Sequence, residues 1–495
     1  MKRTYKSRVV LLLALFLALA FPLLSSCGMI VLNTPQSTAV TTLPETTPPT
    51  PDTETDPPDL PAPQDPPKIP DPQAWEIHRE DAEAFLKKEI ALDFSSSSLF
   101  IVDSTGLLSA PLTENNDFSE ALYERNRMLT EKYGMQINAY YADPTTLFEE
   151  FKATLASGQT FCDILSVPLN ETGRYIASGL LMNQKTLPFF ESNGEYLPKT
   201  FASSSAAAQS VYISIGYASL TPSDLTSLYF NRTLLSDSGV DLYELAKSGA
   251  FTVDKYLQIA ADIGASTLIS EDLKPELIAL EWSERSFFTS GYGKAVSFNA
   301  NTVKSTVSAA GEKFAAMLFG NVALGEDTTA ISEFSKGESA FMFGTLGMME
   351  SLSKEKVLWG ILPMPKASES AEYITPVSDS MAAFVIPRNN TKTELTSASL
   401  NAIHAASHRW LLESAGLFYA KYYIPDLHSC DMIRIIIQNP VIDFTASAYT
   451  LSDKYDSVLF EAIRKIAQDP KADLSSLITT TALNSIKTDL KKYYK

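Results

Sequence analysis

Four histidines, three cysteines and 58 carboxylates are the groups in this 495-residue chain from which catalysis or metal binding could be built. His404 and His408 stand four apart in a stretch of helical pattern, which places them on one face. The run His404-Ala405-Ala406-Ser407-His408 lacks the glutamate that follows the first histidine in a zinc-hydrolase helix, so the pair reads as solvated or structural. No GxSxG nucleophile turn and no Walker A loop is present. Gly320, Gly325, Gly344 and Gly347 are too scattered to cradle a phosphate. With 58 carboxylates, acidic pairs arise by number alone, and none is marked out as a glycosidase pair. The cysteines, Cys27, Cys162 and Cys430, have no CxxC spacing. The expectation is no catalytic residue, no metal and no cofactor.

Chemistry of another kind, the holding of a small molecule, depends on the elements around it. Leu99 to Val102 reads as a first core strand and Phe118 to Tyr133 as a helix. Ile137 to Tyr141 reads as a strand, and Asp143-Pro144 opens a helix to about Ala156. Cys162 to Val167 is a further strand. Strands alternating with helices imply a mostly parallel sheet covered on both faces, whose ligands bind beyond the strands' carboxyl ends. That rule puts Asp103, Ser104 and the run from Ser166 to Asn170 in loops facing a cleft. Farther on, Val211 to Ser214 and Thr226 to Phe230 read as strands joined by a turn-rich crossing. Asn231 caps a short helix that Gly239 stops, and Thr252 caps a longer one with Val253, Tyr256, Leu257, Ala260 and Ala261 on its buried face.

Tyr229-Phe230-Asn231, then Ser238-Gly239-Val240, then Phe251-Thr252 and Asp254 resemble the signature of bacterial extracellular solute-binding proteins of the sugar-binding group. Leu122 to Tyr133 with Phe161-Cys162-Asp163-Ile164 and Ala177-Ser178-Gly179-Leu180 extends the resemblance. Phe334 to Met342 extends it again, so that it spans roughly residues 93–495. The resemblance implies an α/β fold of two lobes, each a mostly parallel sheet flanked by helices, with hinge crossovers between them. The second crossover falls in the run from Thr375 to Ile386, and helical segments at Thr393 to Ala420 and Asp453 to Ala467 complete the lobes. It also implies no enzyme but a monomeric carrier that captures a solute, a mono- or oligosaccharide, and delivers it to an ABC transporter permease.

Sugar recognition needs rings for the apolar pyranose faces and carboxylates or amides for the hydroxyls. Asp224 stands seven residues before Asn231, the offset at which sugar-binding relatives carry a carboxylate that bonds sugar hydroxyls; a turn-forming role in Thr221-Pro222-Ser223-Asp224 is the alternative. Tyr212 and Tyr217 at the crossing, Trp282 and Tyr292 in the second lobe and Tyr373 near the return are candidate stacking rings. Glu281, Asp379 with Ser380, Asp103 and Ser166 are the remaining polar candidates. The pattern departs from the family at Gly347, where those relatives place a tryptophan that stacks on ligand, and at Phe251, which replaces another tryptophan.

The amino terminus gives the address. Lys2, Arg3, Lys6 and Arg8 precede an apolar run from Val9 to Phe21, and Leu24-Ser25-Ser26-Cys27 resembles a lipobox, so 1–27 reads as a lipoprotein signal with Cys27 as the lipidated residue. The expected location is the outer face of the bacterial cytoplasmic membrane, held through a lipid anchor. Residues 28–73 read as a disordered tether, since Asn33 to Pro72 holds 13 of the 28 prolines. Residues 74–213 and 376–420 then form lobe 1, with a charged helical pattern from Ala74 to Ile90; residues 214–375 and 421–495 form lobe 2. Without the four basic residues of the leader the chain has 36 basic groups against 58 acidic ones, a net charge near −22. Nucleic acid is excluded as a partner on that ground. An oxidising exterior allows Cys162 and Cys430 to pair, and two separately buried thiols is the plainer alternative. A second functional class stays open on the same fold: a surface lipoprotein that adheres to glycan without transport.

Overall fold

A computed structural model of the protein describes residues 98–109, 117–189, 210–264, 277–280, 293–298, 303–307, 324–325, 327–337, 339–407, 419–420, 422–441, 474–477 and 479–492. The expected helix at Ala74 to Ile90, the segment Asp453 to Ala467, the leader with Cys27, and the tether lie outside them.

The first sheet is built from β1 (Ser98–Asp103), β2 (Gln136–Tyr141), β3 (Ile164–Pro168) and β12 (Ala382–Val385), in the order β12-β3-β1-β2. β1 runs parallel to β2 and β3, and β12 alone runs against them. Helix α1 (Asp117–Tyr133) carries the chain from β1 to β2 and α2 (Pro144–Ala156) from β2 to β3. Proline at the first position of α2 has no amide to leave unsatisfied, and the Asp143 side chain accepts from the Thr145 amide, so the helix starts where its sequence says. Leu147 and Phe151 of α2 pack under Val102, Leu165 and Tyr175.

The second sheet has the order β10-β4-β9-β5-β8, from β4 (Thr226–Asn231), β5 (Leu277–Leu280), β8 (Leu324–Gly325), β9 (Phe341–Thr345) and β10 (Trp359–Leu362). β6 (Gly293–Phe298) and β7 (Val303–Val307) form a separate hairpin. β5, β8, β9 and β10 run one way, and β4 alone is reversed. Both sheets are therefore parallel with one reversed strand. In each, that strand is the one entered directly from a crossing: β4 follows residues 210–225, and β12 follows the return that includes β11 (Thr375–Pro376). β11 itself pairs with β13 (Pro440–Val441).

The reversal has a positional consequence. The first residue of β4, Thr226, pairs with Thr345 at the end of β9, and the first of β12, Ala382, pairs with Pro168 at the end of β3. The carboxyl ends of the parallel strands in both sheets thus gather at the crossings, where open α/β sheets hold ligands.

Val211 to Ser214 forms no strand; only Ser214 bridges to Phe384, because the segment is tied down by side chains instead. Asn183 Oδ1 accepts from the Val211 amide, and Gln184 Nε2 donates to the carbonyls of Tyr212 and Phe384. Asn231 caps its helix through the Thr233 and Leu234 amides, and Gly239 takes the left-handed conformation that ends it. Helix α3 (Val253–Gly264) buries Val253, Tyr256, Ile259 and Ile263. The expected face is thus corrected at its far end: Leu257 and Ala260 are half-buried and Ala261 exposed, because Tyr256 sets the phase by packing edge-on to Phe251 and against Phe341. Helices α4 (Thr393–Ala406) and α5 (Leu427–Gln438) pack on α1 and β10 respectively.

Candidate functional site

Four short segments meet where the strands end. The turn Pro222–Asp224 precedes β4, the turn Leu346–Met348 follows β9, the return runs from Val377 to Met381, and Leu169–Asn170 follows β3. Backbone hydrogen bonds lace them together: Leu346 N to Leu225 O at 2.8 Å, Ser378 N to Asp224 O at 2.8 Å, Asn170 N to Asp379 O at 2.9 Å and Leu169 N to Met381 O at 2.9 Å. Asp224 and Asp379, far apart in sequence, are brought to one junction by this lacing.

Asp224 is 6% exposed. Its Oδ2 accepts from the Thr221 amide at 2.8 Å and the Thr221 hydroxyl at 2.7 Å, while its own amide donates to Thr221 O. Among the described residues nothing donates to Oδ1, and no cation pairs with the carboxylate. Burial pushes the carboxyl up to about 7 against the opposing pull of the two Thr221 hydrogen bonds. The turn-forming role is thus present in one oxygen, and the other is left to accept.

Asp379 is buried and receives Asn170 Nδ2 at 3.4 Å, with exposed Ser380 beside it and Ser378 Oγ 2.7 Å from Ser380 Oγ. Asn170, which strand-end reasoning placed only as part of a run, therefore joins the first sheet to the return crossing.

Gly347 is a close approach. A Cβ there would lie 2.5 Å from Ser223 Oγ and 3.2 Å from Ser223 Cα, so any side chain at this position requires the Ser223 hydroxyl to turn away and the Pro222–Asp224 turn to give. No ring fits there without moving the Asp224 turn.

The other candidates are placed as follows. Asp103 is fully buried and binds its own loop: Oδ1 accepts from Thr105 N, Thr105 Oγ1 and Gly106 N, and Oδ2 from Leu108 N, Ser109 N and Ser109 Oγ. Ser166 is buried with its hydroxyl 2.8 Å from Thr105 Oγ1. Tyr217 is buried in a turn at the crossing, and half-buried Tyr212 packs on the core. Tyr373 donates to Ala246 O at 2.9 Å, lies under Lys366 Nζ at 5.2 Å, and is pushed up to about 12 by burial. Glu281, Trp282 and Tyr292 lie outside the described residues.

The histidine expected to be solvated or structural is structural. His404 is fully buried, with Nε2 3.1 Å from Ser214 Oγ and its ring edge-on to Phe384. Burial, then the charge of Arg125, hold it down to about 3, so the imidazole is neutral. His408 lies outside the described residues. Arg125, also buried, donates to Ser407 Oγ and Leu107 O, and burial lowers it to about 10. No group of three metal-ligating side chains occurs among the described residues. Cys162 is a buried free thiol and Cys430 a half-buried one.

The arrangement presents hydrogen-bond acceptors at the strand ends, and among the described residues no hydrogen bond pairs a nucleophile with a general base there. The chain belongs to the bacterial extracellular solute-binding proteins, whose family model matches residues 126–403, more than half of its length. It is thus a solute-binding protein of an extracytoplasmic family. No curated protein sequence matches it. Among solved structures it is similar to the cyclic α-maltosyl-1,6-maltose binding protein of Arthrobacter globiformis, at 12% identity and TM-score 0.49 over 80% of this chain and 99% of that one. UgpB of Mycobacterium tuberculosis, in complex with glycerophosphocholine, is 14% identical at TM-score 0.46 over 80% and 99%. The GacH receptor of Streptomyces glaucescens, with acarbose, is 14% identical at 0.44 over 80% and 98%.

Proposed function

We propose that the protein is a lipid-anchored receptor that closes two lobes on a carbohydrate and hands it to an ABC permease. Cys27 carries the anchor on the outer face of the cytoplasmic membrane, residues 28–73 form the tether, and the chain acts as a monomer. The lobes comprise 74–213 with 376–420, and 214–375 with 421–495. Packing of α4 on α1 and of α5 on β10 supports that division. Closure follows from hinge motion at the crossings, and ligand drives it by preferring the closed state.

The observation that carries the reading is Asp224: a buried carboxylate at the junction of both sheets, one oxygen spent on Thr221 and the other without a donor among the described residues. A sugar hydroxyl supplies the missing donor. An ionised carboxylate or phosphate on a solute has no proton to offer this oxygen. The carbohydrate class itself comes from the motif resemblance and the polar junction together.

The test is thermal unfolding of the processed chain against mono- and oligosaccharides, amino acids and peptides. A ligand at 100 times its Kd adds about 2.7 kcal/mol of stability. A saccharide shift lost in Asp224→Asn is expected. A shift from amino acids or peptides alone would sink the carbohydrate reading, and silence from every solute would favour the adhesion module.

A further inference from the structure

Two crossings join the sheets, and their hydrogen bonds tell which sheet each residue follows. In the first crossing Ser214 exchanges both backbone hydrogen bonds with Phe384 of β12, at 2.8 Å each. The turn Tyr217–Ser219 packs on α4 and β12, with Ala218 buried in the same core as Phe384, and the Leu220 amide donates to Tyr217 O. All of this follows the first sheet. The turn Pro222–Asp224 instead packs on β9 and on the turn Leu346–Met348, which follow the second. The change of side therefore falls on the link between Leu220 and Thr221.

The return crossing changes side as abruptly. Val377 bridges to Leu225 and the Ser378 amide donates to Asp224 O, whereas the carbonyls of Asp379 and Met381 accept from Asn170 and Leu169 after β3. Its joint is the link between Ser378 and Asp379. Over that joint reach the Ser378 carbonyl, which takes the Met381 amide at 3.3 Å, and the Ser378 hydroxyl, which takes the Ser380 amide at 3.2 Å and lies 2.7 Å from Ser380 Oγ. The passage from α4 to α5 lies largely outside the described residues.

Both joints are tied to Asp224. Thr221 spends its amide and its hydroxyl on Asp224 Oδ2, at 2.8 and 2.7 Å, and its carbonyl accepts from the Asp224 amide at 3.0 Å. Ser378 N lies 2.8 Å from Asp224 O. We propose that Thr221 and Ser378 are the pivots of the hinge, and that Thr221 is the positioning residue that fixes Asp224 on the hinge axis. The inference rests on the reading of two closing lobes and deepens it. Asp224 Oδ1 then keeps one direction while the first sheet swings, so a solute meets the same acceptor in the open and the closed form and binds there before closure.

The experiment is single-molecule energy transfer on the full chain carrying Cys27→Ser, Cys430→Ser, Ser157→Cys and Ser248→Cys. The two labelled positions are exposed, one after α2 and one after the helix Leu242–Lys247, and Cys162 is buried. The unaltered hinge is compared with Thr221→Val, Thr221→Ser and Thr145→Val. Thr145 is a matched control: its amide and hydroxyl hold Asp143 Oδ1 at 2.9 and 2.7 Å, away from the crossings. Without solute, Thr221→Val should widen the distribution of efficiencies by half or more, while Thr221→Ser and Thr145→Val leave it unchanged. With maltotriose, cellotriose and laminaritriose, the sugar that binds should raise the efficiency, and Thr221→Val should need fivefold or more of it to reach the same closed value. An unchanged width in Thr221→Val, or equal widening by Thr145→Val, overturns the proposal. If Thr221→Val widens the distribution and no trisaccharide moves any chain, the carbohydrate reading falls and the pivots stand. Should Thr221→Val fail to fold, hydrogen exchange of the unaltered chain decides: the amides of Thr221, Asp224 and Ser378 should exchange as one unit, and a tenfold spread among them overturns the proposal.

Discussion

Two buried aspartates end up in opposite conditions. The loop after β1 surrounds Asp103 with six donors from Thr105, Gly106, Leu108 and Ser109, so its carboxylate is saturated and shapes the backbone. The turn before β4 gives Asp224 two donors, both from Thr221 and both on one oxygen. The first carboxylate is spent on its own loop, whereas the second keeps an oxygen that no described residue serves, and on the proposed reading that oxygen is the one that meets the solute. Charge alone does not distinguish them.

The largest effect that tests the contrast is Asp103→Ala. It leaves four loop amides and two hydroxyls without their acceptor, the Leu108 amide buried and the rest half-buried, and should cost at least about 3 kcal/mol in urea unfolding. A loss below about 1 kcal/mol would show that water serves the loop as well, and the contrast would collapse.

Asp224 should respond to pH instead. Its folded-state carboxyl titrates near 7 and the unfolded one in the ordinary range, so between about pH 4 and pH 7 the folded protein holds a proton that the unfolded chain has released. Stability therefore falls as pH rises through that window, by about 2–4 kcal/mol from this group. Asp224→Asn should lack that component and be the more stable of the two at pH 8 without ligand. Saccharide affinity should run the other way, rising toward pH 8 in wild type as the ionised oxygen becomes a better acceptor. Identical stability profiles for wild type and Asp224→Asn would show that Oδ1 is solvated.

Next in size is Gly347→Ala, which drives a methyl into Ser223 and should cost about 1–3 kcal/mol. Ser223→Gly in the same chain should return part of it. Gly347→Trp, which would restore the family's ring by sequence, should weaken binding because the Asp224 turn must move. Improved saccharide affinity in that variant would instead make position 347 part of an open cleft.

Much of the fold is legible in the sequence. α2 was readable because Asp143 and Pro144 are local signals, and β4 with its capped helix because Asn231 and Gly239 act within a few residues. The reversal of β4 and β12 was not, since strand direction is set by pairing with partners over a hundred residues away. The junction is half legible. The offset from Asn231 marks Asp224 as a candidate, but the saturation of Asp103 depends on how residues 105–109 fold back, which no pattern of types encodes. Tyr140 and Tyr141 read as strand residues, but that β2 is the edge strand of its sheet is decided by its pairing. The phase of α3 failed at Ala261 because small residues fit either face, and Tyr256 decided it.

Tyr373 carries the contrast from carboxylates to phenols and gives its smallest test. The sequence offered it as a stacking ring, yet its hydroxyl donates to Ala246 O and its ring lies under Lys366. It resembles Asp103 in having its polar group spent inside the fold. Tyr373→Phe removes one hydrogen bond and keeps the ring, so it should cost about 1 kcal/mol in unfolding and leave saccharide affinity within twofold. If affinity fell tenfold at unchanged stability, a spent group would be acting on the solute after all, and unspent capacity would no longer serve to tell wall from site.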